Sequence, residues 1–349
     1  MNETIRKMLR PEQIAAYLEA ANVSVMPLLD LIFPASTRRM HQSITVGLDS
    51  MIRDTNNVPH TNRGGEYWPL ASRARKLVHF VVPPIRIGSD ISEVDLNDIE
   101  EYYNAGNMRG IQDYLAERAI DRAQTYRKTS QAMVADFIRS EGTMTFPIWT
   151  DANSDPILEA VDYPLHERWL TDTATLLWDD SSATIMTVYN DLITWSRRMR
   201  DENNQNGNKL IMCPGDVYGR LLALAHGSQT TASIQITIGE QSIKLGSFEL
   251  RSVDGSYNSY VHGSGAATDL LEEKKIFMVS DDFRREFLYC KTEMRDNNGN
   301  TIAYRTDMDA PMVMKMYWSE DSECMKIKSE AKPLPVSNPA SWLTATVLA

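Results

Sequence analysis

Between Ile111 and Glu141 the apolar or small residues Ile111, Leu115, Ala119, Ala123, Tyr126, Ser130, Met133 and Phe137 recur in steps of three and four. Residues so spaced form one stripe on an α-helix, and at ~1.5 Å per residue this helix runs about 45 Å. Gly142 follows it, as a glycine often follows a last helical turn. A helix longer than most globular ones needs a coiled-coil partner or a spine role. A single stripe without sustained heptads favours the spine.

The chain has 349 residues, 42% of them hydrophobic, which supplies one sizeable core with room for a second. Charged residues make up 24%, as in ordinary globular proteins. The 36 Lys and Arg against 47 Asp and Glu leave a net charge of -11, which argues against a protein whose main work is wrapping nucleic acid phosphates; a local basic patch stays open. Cys213, Cys290 and Cys324 are widely spaced and unpatterned, so they read as reduced, intracellular and mostly buried. No secretory signal is recognisable at the N-terminus, and the longest dense apolar stretch, Val25 to Phe33, is interrupted by Pro27 and Asp30 and too short for a membrane span.

Pro11 opens a short predicted helix that stops at Asn22. The segment Leu28-Leu29-Asp30-Leu31-Ile32-Phe33 ends at Pro34 and cannot hide its apolar face within so short an arm; another subunit is one candidate to cover it. Extended stretches at Ile44 to Ile52 and Lys76 to Val82 flank the turn signals Asn56-Asn57-Val58-Pro59 and Arg63-Gly64-Gly65, the pattern of a long two-stranded excursion. Asp179-Asp180-Ser181-Ser182 predicts an N-cap, followed by an amphipathic helix to about Arg200 and a polar loop from Asp201 to Asn208. Leu210 to Cys213 then reads as a strand and Val217 to Ala225 as a helix, an α/β alternation. Period two takes over at Ile234, Ile236, Ile238, Ile243, Leu245, Phe248 and Leu250. Asp296-Asn297-Asn298-Gly299 predicts a hairpin, and Met312 to Trp318 and Met325 to Ser329 read as strands before a proline-punctuated tail.

Candidate chemistry fails residue by residue. The Asp296 to Asn300 stretch lacks the twelfth-position Glu of a calcium loop. Gly263-Ser264-Gly265 lacks the third glycine of a dinucleotide site. The six histidines His41, His60, His79, His166, His226 and His262 stand singly, without metal-ligand spacing. Asp179 and Asp180 are better placed to cap a helix than to act as acid and base. Neither a nucleophile elbow nor a phosphate-cradling loop occurs. The reading is therefore non-enzymatic, with no catalytic residue, cofactor or metal.

The order of parts, namely apolar arm, extended loop, spine helix, α/β section, β-rich return and Pro-rich C-terminus, resembles the major capsid proteins of tailed phages. More narrowly it is similar to the lambda-type head protein E family. The resemblance rests on Leu28 to Phe33, on Arg63-Gly64-Gly65 followed by Pro69, on Glu141-Gly142-Thr143-Met144-Thr145, and on Leu210 to Pro214 leading to Tyr218 and Leu222. Its most specific piece is Ser329 to Val336 with Asn338-Pro339 and Trp342 to Val347. It implies an α+β chain of the Hong Kong 97-type phage capsid fold: N-terminal arm (1–38), extended β loop (39–87), spine-helix peripheral domain (88–165 and 283–320) and α/β axial domain (166–282 and 321–349).

The implied function is a head protein that self-assembles, as hexamers and pentamers, into the icosahedral shell around phage double-stranded DNA. The implied location is the virion capsid, with assembly in the host cytoplasm. The partners implied are a portal, a separate scaffolding protein and DNA held without sequence-specific binding, with the presence of a decoration protein left open; no membrane is involved. The alternatives are an encapsulin-like nanocompartment shell and a soluble α/β enzyme. Expected inter-subunit contacts are Leu28, Leu31, Ile32 and Phe33 of the arm, buried mainly against other subunits, and Arg63, Gly64 and Gly65 of the loop. Charge placement adds two more groups. From Arg38 to Lys76 seven basic residues (Arg38, Arg39, Arg53, Arg63, Arg73, Arg75, Lys76) stand against Asp49, Asp54 and Glu66, a local net of +4. From Asp90 to Asn104, Asp90, Glu93, Asp95, Asp98, Glu100 and Glu101 stand without a Lys or Arg, a net of -6. Arg73 and Arg75 are expected to meet Asp95 and Asp98 across subunits. Lys76, at the loop's base, is not expected to form a covalent cross-link.

Overall fold

The computed structural model describes residues 25–41, 43, 45–51, 75–91, 97, 101–102, 105–106, 108–148, 157–228, 234–258, 267–282, 285–295, 301–303, 312–319 and 324–349. Its longer helices are α1 (Pro27–Ile32), α2 (Met108–Arg139), α3 (Ile185–Asn203) and α4 (Gly215–Ser228). The predicted helix after Pro11 and the Gly263 to Gly265 loop lie outside the described residues. The chain divides into two compact units: Met1–Val46, His79–Met133 and Glu286–Val336 form the first, and Gly47–Val78, Val134–Arg285 and Ser337–Ala349 the second.

In the first unit α2 covers an antiparallel sheet in the order Val313–Ser319, Cys324–Ala331, Ile85–Asp90. The stripe read from the sequence is the buried one: Leu115, Ala119, Ala123 and Tyr126 join Ile91, Met312, Met314, Ile327 and Ala331 in one cluster. Strand alternation supplies the sheet's half, with Ile327 and Ser329 buried and Lys328 exposed between them. A charged side chain of the helix enters this layer. Arg122, 6% exposed, donates to Ile87 O (3.1 Å), Ile327 O (3.1 Å), Ser329 Oγ (3.0 Å) and Ser89 Oγ (2.6 Å), so its guanidinium ties α2 to both strands. Tyr126 adds a hydroxyl bond to Ser329 Oγ at 2.9 Å. A second small sheet pairs Arg38–His41 parallel to Glu286–Cys290, which in turn runs antiparallel to Pro333–Val336. Pro333 and Pro335 are tolerated there because that strand lies on the sheet's edge.

The helix ends by a Schellman motif. Glu141 takes the left-handed conformation (φ 51°), its N–H bonding Ile138 O at 3.3 Å, and Gly142 (φ 91°) donates to Phe137 O at 3.0 Å. Gly142 is thus one place beyond the left-handed cap residue. A Cβ there would lie 3.2 Å from Pro339, on top of the strain at its φ.

The second unit is built on a seven-stranded mixed sheet in the order Leu170–Thr173, Trp342–Thr346, Lys275–Ser280, Lys209–Cys213, Phe248–Ser252, Ser242–Leu245, Ile236–Ile238. α3 and α4 contribute Ile185, Val188, Leu192, Trp195, Met199, Val217, Leu221 and Ala225 to its core, with Ile211, Ile276 and Leu343 from the sheet. The proline-punctuated tail proves to be core, because Trp342–Thr346 is the second strand of this sheet. Trp342 stacks on Trp169 at 5.1 Å, and Phe137 sits edge-on to both. Asn203, fully buried, holds the same region by donating to Arg168 O and Ala340 O at 2.9 Å each.

Two expectations are corrected here. The cap of α3 is Thr184, which exchanges bonds with Thr187 in a capping box; Asp180 instead closes the preceding turn on Ser182, whose amide and hydroxyl hold its carboxylate below the usual range. The boundary read at 320/321 falls inside a hairpin, since Val313–Ser319 pairs with Cys324–Ala331 along its whole length, and cross-strand hydrogen bonding keeps both in one unit. Likewise the hairpin of Thr143–Ile148 and Ile157–Asp162 belongs to the second unit. Strands at Glu293–Arg295 and Thr301–Ala303 pair antiparallel around the Asn-Gly sequence. No helix among the described residues is long and apolar enough to cross a membrane.

Candidate assembly surface

The arm places its charged residue against the spine helix. In α1, Pro27 occupies the first turn and Asp30 accepts the Met26 amide at 2.7 Å. The Asp30 carboxylate also accepts from the single nitrogen Arg127 Nη2 at both of its oxygens, at 2.9 and 2.8 Å, and forms an ion pair with Arg38. Arg38 Nε reaches back to Phe33 O at 3.0 Å. This clamp turns the opposite face of α1 inward. Leu28, Leu29 and Phe33 are fully buried, Ile32 is 1% exposed, and Phe33 lies edge-on to Phe287 at 5.6 Å. The expectation that Leu28, Ile32 and Phe33 bury themselves mainly against other subunits is therefore overturned: side chains with no accessible area in their own chain have none left to give a neighbour. Leu31, half-buried, keeps accessible surface. Asp30, visible in the sequence only as a break in an apolar run, is the residue that docks the arm.

The extended excursion is present as the paired strands Thr45–Met51 and Arg75–Val81. Val46, Leu48, Phe80 and Val82 are buried, while Val81 is 58% exposed, as alternation along a half-buried ribbon requires. Arg75 opens the second strand. Arg63, Gly64, Gly65, Arg73, Asp95 and Asp98 lie outside the described residues. The hairpin after the spine helix, which sequence periodicity did not single out, carries exposed Ile157 and Leu158.

An acidic cleft beside the start of α4 brings Asp216, Asp254, Asp269 and Glu273 together. Two of these are already engaged: Asp216 accepts the Lys274 amide at 2.8 Å and Asp254 the Ser252 hydroxyl at 2.9 Å. Among the described residues no group of three or more His, Cys, Asp or Glu could hold a metal ion. Cys213 and Cys290 are buried free thiols, and burial pushes both upward in pKa, Cys290 to about 12. What the arrangement offers is a set of interlocking segments around two cores.

A search of curated proteins finds no relative. Among solved structures the chain is similar to a capsid protein candidate from a prophage of E. coli CFT073, with a TM-score of 0.58 at 12% identity over 98% of this chain and 99% of that one. It is also similar to the capsid of cyanophage A-1(L), with a TM-score of 0.51 at 11% identity over 94% of this chain and 96% of that one. These likenesses show the Hong Kong 97-type fold. The sequence profile described as phage major capsid protein E matches residues 11–347. A spine helix clamped to arm and sheet, this fold and a match over nearly the whole chain lead to one conclusion: the chain belongs to the phage major capsid protein E family, the shell-forming proteins of phage heads.

Proposed function

We propose that this chain is the repeating subunit of an icosahedral head shell made of hexamers and pentamers, assembled in the host cytoplasm around double-stranded DNA. The observation that carries the reading is the family match from residue 11 to residue 347. A net charge of -11 suits a wall that encloses phosphates without gluing them to itself. In this reading a separate scaffolding protein guides assembly and a portal occupies one vertex. The first compact unit serves as the peripheral domain and the second as the axial domain. Electron microscopy of purified particles with their content measured is the test. Shells holding DNA are expected; shells holding a cargo protein would indicate a nanocompartment, and monomers or dimers at every concentration would refute the reading.

Subunits meet, in this proposal, through the basic excursion and the acidic segment before the spine helix, Arg73 and Arg75 of one copy facing Asp95 and Asp98 of another. Leu31, Arg63, Gly64 and Gly65 contribute further contact in this proposal. Each exposed ion pair is worth only ~0 to 1 kcal/mol, but repeated over every contact such pairs steer docking and make assembly depend on salt. Arg73→Glu with Arg75→Glu should block assembly, and adding Asp95→Lys with Asp98→Lys should partly restore it. A quadruple variant that assembles no better than the double one refutes the pairing.

A further inference from the structure

The polar loop between α3 and the strand Lys209–Cys213 contains Asn206-Gly207, one of two Asn-Gly pairs in the sequence; the other, Asn298-Gly299, lies outside the described residues. Asparagine before glycine is prone to lose ammonia, because the next residue's amide nitrogen can close a succinimide ring on the side-chain carbonyl and glycine has no Cβ to obstruct it. Tertiary contacts surround that nitrogen here. The Gly207 N–H donates to Asp282 Oδ2 at 2.5 Å, so a carboxylate sits on the atom that must give up its proton. The same Oδ2 accepts the Ser280 hydroxyl at 3.1 Å, and Lys209 Nζ donates to that hydroxyl's oxygen at 3.1 Å. Lys209 Nζ also holds the carbonyls on either side of the Asn206–Gly207 peptide, Gln205 O at 2.9 Å and Gly207 O at 2.8 Å. A Cβ on Gly207 would collide with the Asp281 carboxylate, so only glycine admits this close approach. Asn206 is exposed, and water reaches its carboxamide, whose Nδ2 donates to Asn204 Oδ1 at 2.9 Å.

We propose that Asn206 is a self-modification site, deamidating in the folded chain with Asp282 as its general base. Asp282 takes the Gly207 N–H proton as that nitrogen bonds to Asn206 Cγ. The Cγ–Nδ2 bond then breaks, the leaving nitrogen takes the proton from Asp282, and ammonia departs. Water adds to either carbonyl of the succinimide and opens it to aspartate or isoaspartate, so one water enters, one ammonia leaves, and nothing is oxidised or reduced. A general base must lie within hydrogen-bond reach of the proton it takes, and the Gly207–Asp282 bond meets that condition. The Lys209 clamp on both flanking carbonyls holds the reacting groups beside the base. Each event adds a negative charge next to Asp281 and Asp282 in a chain already at -11. The inference is independent of the head-shell reading.

The test incubates purified full-length subunits in isotope-labelled water and follows conversion at Asn206 by peptide mass spectrometry. Asp282→Asn can still accept the Gly207 N–H but cannot take its proton. It should slow conversion about tenfold or more in the native subunit and leave it unchanged in urea, where local sequence alone acts and Asn206 and Asn298 should react alike. The pH profile of the wild type is a second readout that needs no variant. Carboxylates of ordinary pKa stay ionised between about pH 6 and about pH 8, so the native rate should be nearly flat there, whereas the unfolded chain's rate should climb with hydroxide. An unchanged rate in the Asn variant, or a native wild-type rate that climbs as the unfolded one does, would overturn the inference. A faster rate in the variant would also overturn it, showing that the bond to Asp282 guards the site instead. If Asp282→Asn does not fold, the wild-type pH profile decides alone.

Discussion

Replacing Arg122 by Met is the sharpest probe of what holds the spine helix to its sheet. The methionine keeps most of the apolar stem and removes only the guanidinium, which makes four hydrogen bonds between 2.6 and 3.1 Å at a site 6% exposed. Hydrogen bonds from a charged donor are each worth roughly 1.5–3 kcal/mol, which bounds the loss at roughly 6–12 kcal/mol if nothing relaxes. Relaxation is substantial. Ser329 retains its bond from Tyr126 and lies 3.5 Å from Ile87 O, so the hydroxyls find other partners, and the removed charge no longer has to be kept out of water. The expected net destabilisation is about 3–5 kcal/mol, a large fraction of the ~5–15 kcal/mol that folded domains possess. Arg122→Lys, with one compact donor group in place of a fork, should lose roughly half as much. Urea unfolding of unassembled subunits, followed by circular dichroism, measures both. In a cycle with Ser329→Ala, the Met substitution should cost less in the Ala background, because the two residues share a bond. A Met variant within about 1 kcal/mol of wild type, with additive effects in the cycle, would refute the claim that this guanidinium fastens the layer.

Phe33→Asp combined with Leu31→Asp should prevent folding of the subunit itself, because Phe33 is fully buried and the charge alone costs about 3–5 kcal/mol or more; Leu31→Asp by itself should leave a soluble, folded chain, as limited proteolysis would show. Asn203→Ala should cost about 2–3 kcal/mol in the same urea assay, since two buried carbonyls lose their donor. Stability should fall at alkaline pH. Cys290 and Tyr126 both titrate near 12 in the folded chain, so the unfolded chain loses their protons first, near ~8.5 and ~10, and the cost grows by up to about 1.4 kcal/mol per pH unit per group until the folded pKa is reached. Urea midpoints at pH 7 and pH 10 check that sign, and an unchanged midpoint would contradict it. Denaturing gels of mature particles should show no ladder of covalent multimers through Lys76.

Local pattern and global pairing divided the information in this chain. The spine helix is legible from local pattern, because its buried face repeats with the helical period: Leu115, Ala119, Ala123, Tyr126, Ser130, Met133 and Phe137 are all 5% exposed or less. The extended ribbon and the α/β alternation are legible for the same reason, each being written within a few consecutive residues. The order of those parts carried the family. Tertiary structure alone decided where the ends of the chain go. Trp342–Thr346 reads as a tail until sheet pairing with Leu170–Thr173 and Lys275–Ser280 makes it core, and the first of these partners is more than a hundred residues away. The arm departs from its sequence pattern for a related reason. Its apolar face is legible, but whether home or neighbour covers it depends on Asp30 meeting Arg127, a contact across 97 residues that no local period records. Arg122 shows the same limit from the other side, for a charge within an apolar stripe becomes a fastening only when distant strands bring Ile87, Ile327 and Ser329 within hydrogen-bond reach. Periodicity reports which face of an element will be dry, whereas the partner that dries it is chosen by long-range packing, where burial, charge and hydrogen bonding must all be satisfied at once.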